Sequence, residues 1–565
     1  MKYINTITLP KVLFLAICFI WVSPLKSQMP APDGQIVYGN EWIDYDKSYL
    51  RIPIAEDGMY ILTYEDLLQA GWNSDSWRGQ DLVLFHHGKQ IPIRVSTEGV
   101  FSEEDHLIFY GEKNRTTLER FIFHQPDRQM LNPEYSLFTD TSVYFLTLDQ
   151  EIAKTRFQQA QIQSTSDPRN WVWTSITTVY TGQFYTQAPQ GLIDPDFNDL
   201  EGFATGFART VKREIILSDL NVTGDSLYLS VGVGCDLNTR AFNLSVNGNQ
   251  IEKFTNDQDQ SARIVQLSLP VGSLGNTLEI EVEGVESNNR VALSFVTLRF
   301  ETPTTTLDSS REFFLSDSQI SQTFGLSVPG DTHPGPIYNI RQGRYYLPDE
   351  QGNNYVYHLE AMPGDRFVPG PNPIRPTGLR KVHFTNFLDQ DMDYLIITSE
   401  FFIGKDGEQD QIEAYAGYRR STEGGAYKVV VATVEELRDQ FIFGVEGHPY
   451  AIRNFVGLLI QEQKGVRYIN IIGKGMGYGF IRSASDYQNY HGKSHFVPTF
   501  GHYGSDNLLV AEKGQAVPRI PVGRIPVTKS EEIGYYLEKV RTYENVLRHP
   551  EQVEDRTWMK RVMHF

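Results

Sequence analysis

Three stretches decide the fold: VRYINIIGKG at residues 466–475, VPTFGHYGSDNLL at 497–509 and IPVGRIPVTKSEEIGYYLEKVRTYE at 520–544. Tyr468–Ile472 is a short, nearly continuous apolar run, as a strand buried on both faces requires. It leads into the glycine-rich Gly473-Lys474-Gly475-Met476-Gly477. A second short strand ends at Gly523-Arg524. Thr528 and Glu531 then stand at capping-box spacing. Ile533, Tyr536, Leu537, Val540 and Tyr543 share one face of the helix they open.

Working upstream, the same alternation recurs. Asp393–Thr398 and Tyr427–Ala432 read as buried strands. Thr433 opens a helix with Glu436 at capping-box spacing. A second helix, from about Pro449 to Lys464, sets Ile452, Phe455, Val456, Leu459 and Ile460 on one face. Strands alternating with amphipathic helices predict an α/β unit with a mainly parallel sheet over 393–565.

The chain before this unit is β-rich. Between 28 and 168, Tyr49–Ile54 and Gly58–Leu62 read as two strands joined by a polar turn. A short helix is predicted at Tyr64–Ala70. Asp81–Phe85 and Gln90–Val95 read as a second strand pair, linked by His86-His87-Gly88-Lys89. Adjacent residues on a strand end point to opposite faces, so His86 and His87 are expected as two exposed turn histidines rather than a metal pair. Residues 169–303 hold six short, evenly spaced alternating runs, with Asn247-Gly248 as a hairpin signal, and read as a β-sandwich. Residues 304–392 are a strand-containing connector. Its Pro369–Pro376 stretch reads as extended chain.

Composition narrows the function classes. The chain has 565 residues, 40% hydrophobic and 12% aromatic, with a net charge of -19. It can bury several cores and is not a disordered protein. An acidic chain without basic runs does not suit nucleic acid, whose phosphates need clustered Lys and Arg. Residues 1–27 read as a secretory signal: Lys2 and Lys11 precede the apolar run Val12–Val22, which is short for a bilayer span. After its removal no segment is long and apolar enough for a membrane helix, and Cys235 is the one cysteine left. Cys235 sits between strand-like runs with no histidine beside it, and reads as a buried structural thiol rather than a nucleophile.

The remaining motifs read as structural. Gly473–Gly477 lacks the G-x-G-x-x-G spacing, because Tyr478 stands where glycine is needed, and no Gly-Lys-Ser/Thr follows. His491, His495 and His502, with Asp486 and Asp506, invite a zinc reading, but glycine and proline around them indicate loop rather than helix. Asp506 suits either a substrate cleft or, more simply, a turn in which it accepts backbone N–H groups. Arg524 suits either a carboxylate clamp or a structural ion pair. The residues thus assign no catalytic, cofactor-binding or metal-binding side chain.

In order and content, Val466–Glu544 resembles the first half of the catalytic domain of gingipain-type (C25) cysteine peptidases, and the resemblance extends over Tyr394–Phe565. It implies a caspase-like domain of two α/β subdomains, with the catalytic His and Cys in the second. By it, Trp558–Phe565 is the first strand of that second subdomain, and His564 is not the catalytic histidine. The dyad is thus expected beyond residue 565, in a chain inactive by itself. Lys474 stands where relatives commonly carry an acid, so no cation role transfers and calcium has no assignable residue.

The long β-rich region, and Tyr38–Tyr45 in particular, is similar to the PorU-like sortases of the Bacteroidota type IX secretion system. That similarity implies an exported, surface-associated peptidase that cleaves C-terminal signals of cargo proteins, with protein substrates and outer-membrane secretion components as partners. Two other classes fit the residues: a non-enzymatic surface scaffold or adhesin with a degenerate peptidase domain, and an exported carbohydrate-binding β-sandwich protein.

Overall fold

Tyr468–Ile472 is an inner strand of a four-stranded, wholly parallel sheet. Around it run β1 (Tyr394–Thr398), α1 (Gln411–Arg420), β2 (Val429–Thr433), α2 (Val434–Phe441), α3 (Tyr450–Gln461), β3 (Tyr468–Ile472), β4 (Val522–Ile525) and α4 (Ser530–Arg548). The strand order is β2-β1-β3-β4. The chain therefore leaves β1 to one side and returns on the other, which makes the carboxyl ends of β1 and β3 the switch point of the sheet. The computed structural model describes residues 29–30, 36–72, 77–162, 168–187, 199–235, 241–254, 261–307, 311–315, 322–329, 335–404, 410–482, 496–501, 504–512, 514–548, 557 and 561. The signal segment, Asp486, His491, His495, His502, Trp558 and His564 lie outside them.

Local signals set the helix ends. Thr433 caps α2 by accepting from Glu436 N at 3.3 Å. For α4 the acid at the cap is Glu532, not Glu531: its carboxylate accepts from Thr528 N at 2.7 Å and Lys529 N at 3.2 Å. The helix starts at Ser530, so Glu532 rather than Glu531 falls at its third position. Its predicted apolar face is only half covered. Ile533 and Leu537 are buried, while Tyr536 and Tyr543 remain 41% and 50% exposed.

Helix α3 is buried on every side rather than along one face. One side meets the parallel sheet, and the other meets Leu118, Ile122, Phe123 and Phe138 of the β-rich region in a single continuous core. The two regions are thus packed as one body at this seam.

One expected strand pair does not form, and a second forms only in part. Ser48–Ile54 lies in a five-stranded sheet between Arg380–His383 and Ser142–Leu148, whereas Gly58–Thr63 pairs with His106–Gly111 in a three-stranded sheet. The intervening turn crosses between layers instead of folding a hairpin. In the second, Leu82–His86 lies between Ser142–Leu148 and Lys89–Gln90, while Ile93–Val95 joins the other sheet. Pro92 interrupts the run because it has no N–H for the ladder. The helix predicted at Tyr64–Ala70 is present over Tyr64–Gln69, with a complete capping box between Thr63 and Asp66.

Farther along, a nine-stranded sheet and a four-stranded sheet enclose a core of Leu227, Leu229, Val231, Leu244, Ile280 and Val282. Asn247 (φ 49°) and Gly248 (φ 75°) make the two-residue turn between Phe242–Val246 and Asn249–Phe254. Cys235 ends a strand of the larger sheet and is buried. That sheet takes strands from both sides of residue 303, including Phe313–Phe314, Ile337–Asn339 and Phe367–Pro369. The fold is therefore multidomain: β-rich layers followed by a parallel α/β sheet.

Candidate functional site

Open parallel sheets place their sites at the strands' carboxyl ends. Here that edge is built around Arg524, in β4. A guanidinium has five N–H donors, and each has an acceptor. Arg524 Nε donates to Asp506 Oδ2 at 2.8 Å, and Nη2 to Asp506 Oδ1 at 2.7 Å. Nη1 donates to the carbonyls of Gly473 and Val497 at 2.9 and 3.0 Å, and Nη2 to that of Pro498 at 3.0 Å. Thr499 Oγ1 adds a bond to Asp506 Oδ1 at 2.9 Å.

This geometry decides two open readings. Arg524 has no donor left for a substrate carboxylate, so it is a structural ion pair. Asp506 neither lines a free cleft nor bonds turn N–H groups: it accepts a guanidinium and a hydroxyl. The glycine-rich loop has a packing reason as well. A Cβ at Gly475 would lie 3.3 Å from both Arg524 Cζ and Thr499 Cβ, so glycine lets the loop rest on the ion pair. Among the described residues no group of three or more His, Cys, Asp or Glu is placed to hold a metal ion.

Beside the switch point lies a cavity of about 90 Å³. Phe138, Val434, Met476, Ile481, Phe496 and Pro498 supply apolar walls, and Arg438, Glu435 and Glu446 supply charge. Phe138 comes from the β-rich region, so the cavity is closed by both halves of the seam. Glu435 accepts from Ser399 Oγ at 2.8 Å and from Glu400 N at 2.9 Å. Burial pushes its carboxyl up despite these bonds.

His448, also on the cavity wall, is a core histidine. Its Nδ1 accepts from Tyr450 N at 3.2 Å, which leaves the proton on Nε2 to face Leu118 O at 3.3 Å. Its ring packs on Phe138 at 4.6 Å. Burial drives its pKa down to about 3, so the ring is neutral.

A second charged cluster ties the halves together. Asp439, on α2, accepts from Arg51 Nε at 3.0 Å and from Arg380 Nη2 at 2.8 Å, both on strands of the five-stranded sheet. Burial raises the Asp439 carboxyl, but Arg51, Arg438 and Arg380 outweigh it and hold the group below the ordinary carboxylate range. Sequence reasoning missed Asp439. An acid within a helix gives no signal until its distant partners are in place.

The histidine turn also belongs to this seam. His86 and His87 are half-buried, not exposed, and their rings stack at 4.0 Å. His87 has φ 46°, which breaks strand alternation and brings the rings together. His86 lies flat on Tyr144 at 4.1 Å, and His87 meets Phe443 of the α/β unit at 5.6 Å.

Comparison with known proteins places this architecture. Residues 387–565 match the model of peptidase family C25, a family of cysteine peptidases. A search of curated proteins found no match. Among solved structures, the dimeric latent PorU of Porphyromonas gingivalis is similar over 93% of this chain and 52% of its own, at 16% identity and a TM-score of 0.60. The chain thus spans about half the length of that PorU. A carbohydrate-binding module, CBM36, in complex with calcium and xylotriose, and a family 35 module from Clostridium thermocellum each match 22% of this chain. They cover 98% and 97% of their own lengths, at 13% and 9% identity, with TM-scores of 0.14 and 0.15 that carry no argument. Residues 387–565 thus carry the C25 peptidase match, and the fold of nearly the whole chain is similar to that of PorU.

Proposed function

We propose that this chain is the N-terminal portion of an exported gingipain-like cysteine endopeptidase, a type IX secretion sortase that cleaves the C-terminal signals of cargo proteins. The observation that carries the reading is the joint occurrence of the C25 match at 387–565 and PorU-like β-rich layers before it. In this reading residues 1–27 are a secretory signal, 28–392 form the β-rich layers, with strands of 304–392 completing the sheets of 28–168 and 169–303, and the mature protein works at the cell surface. Its substrates are proteins.

The chemistry needs a thiolate activated by an imidazole. Cys235, the one described cysteine, is buried in the β-rich part, so the dyad is assigned to sequence beyond residue 565. The α/β unit contributes a rigid wall: the Arg524–Asp506 pair fixes the segments at 473–475 and 497–499 that border the sheet edge. A second reading is a non-enzymatic surface scaffold or adhesin whose peptidase unit has lost its dyad.

Sequencing the coding DNA downstream of the Phe565 codon separates the two. The peptidase reading expects a histidine-bearing loop followed by a strand ending in cysteine. An intact downstream frame with neither supports the scaffold and refutes the peptidase.

A further inference from the structure

The cavity at the switch point carries an inference that does not depend on peptidase activity. Its guanidinium is under-bonded. Arg438 Nε is buried and meets no hydrogen-bond acceptor. The carboxylate beside it, Asp439 Oδ1, is 3.6 Å away and already accepts from Arg51 Nε at 3.0 Å. A buried donor without an acceptor is costly, and a charged one more so.

Asp439, Glu446, Glu435 and Glu400 stabilise its charge from a distance, but the two acids on the cavity wall give Nε no acceptor. Glu435 has both oxygens engaged, one by Ser399 Oγ and one by Glu400 N. Glu446 is exposed, where solvent and salt screen it. Thr139 and His448 also line the space, and both ring nitrogens of His448 are engaged elsewhere; the remaining side chains are apolar. At about 90 Å³ the space is well below the ~300 Å³ of a drug-sized pocket. It holds one ring or one branched side chain.

We propose that this cavity binds a compact apolar group bearing a carboxylate, with the apolar part among Phe138, Met476, Ile481 and Pro498 and the carboxylate on the Arg438 guanidinium. A free short-chain or aromatic acid and the C-terminal residue of a peptide both present this chemistry. The charge-assisted bond replaces the missing acceptor, and the apolar walls exclude water from it.

Calorimetric titration of the full chain with phenylacetate, phenylacetamide and N-acetylphenylalanine tests this. Phenylacetate is expected to bind saturably at one site, and phenylacetamide about tenfold more weakly, the difference expected for one charge-assisted bond. Arg438→Met should weaken phenylacetate to the level of the amide, and Ile481→Trp should abolish binding by filling the cavity. Acid and amide are compared on the unaltered chain, so that arm stands even if a variant misfolds. N-acetylphenylalanine binding tighter than phenylacetate supports the proposal with a peptide terminus as the source. Weaker binding supports it with a free acid. Absence of saturable phenylacetate binding, or equal binding of acid and amide, overturns the proposal.

Discussion

Arg524 and Asp506 form a two-bonded fork at 2.8 and 2.7 Å, and the three remaining N–H donors of Arg524 go to the carbonyls of Gly473, Val497 and Pro498. One side chain thus joins β4 to two loops at the sheet's carboxyl edge. Removing one partner of a largely buried pair strands the other charge and costs about 3–5 kcal/mol. Arg524→Met should therefore lower stability by that order in urea unfolding, and Arg524→Lys should recover only part of it, since Lys cannot form the fork. A loss below about 0.5 kcal/mol, the range of ordinary surface substitutions, would contradict the role assigned to the pair.

Asp439 is the corresponding tie across the seam, held by Arg51 and Arg380 at 3.0 and 2.8 Å. Asp439→Asn leaves the guanidiniums of the seam without a counter-charge in a buried place. We expect a loss of about 3 kcal/mol or more. The α/β unit should also become more open to limited proteolysis, with cleavage near 380–444. Unchanged protease resistance would mean that the apolar core alone holds the seam.

Acidification should loosen the same seam. Burial lowers His448 to about 3 and, together with Lys89, lowers His87 to about 4. In the unfolded chain both titrate near 6.5. Their neutral burial therefore contributes stability above pH 6.5 that is lost as pH falls from 6.5 toward 4 and 3. His448→Phe should flatten the acid limb of a stability-against-pH curve, and an unchanged limb would show that His448 is not its source.

Glu119 has the opposite sign. It is 1% exposed and accepts from Ser136 Oγ and, at 2.9 Å, from Leu137 N. Burial outweighs these bonds and raises its pKa to about 8. A carboxyl protonated when folded and ionised when unfolded stabilises below about pH 4.5, and that contribution is lost as pH rises to 8. Glu119→Gln should remove the slope between pH 4.5 and 8 in chemical unfolding. An unaltered slope would contradict the assignment.

The parallel α/β unit was legible because its signals are local. Buried strands give apolar runs, and the strand over Tyr468–Ile472 is where the pattern places it. Thr433 caps its helix through a neighbour three residues on. Strand pairing in the β-rich layers was not legible, since Ile54 and Gly58 are close in sequence yet belong to different sheets. The histidine turn looked exposed because Phe443, which covers it, is distant in the chain. The same holds for the site. Arg524 and Asp506 stood out as residues, but only the positions of three carbonyls reveal that Arg524 is saturated.

The central proposal is that this chain is the non-catalytic part of a cysteine peptidase, with the buried Cys235 a structural thiol. Hydrolysis of a quenched-fluorescent peptide library by the purified chain, with and without reducing agent, tests it most directly. The account predicts no thiol-dependent turnover and no difference between the natural chain and Cys235→Ala. Turnover that the Cys235→Ala substitution abolishes would contradict it.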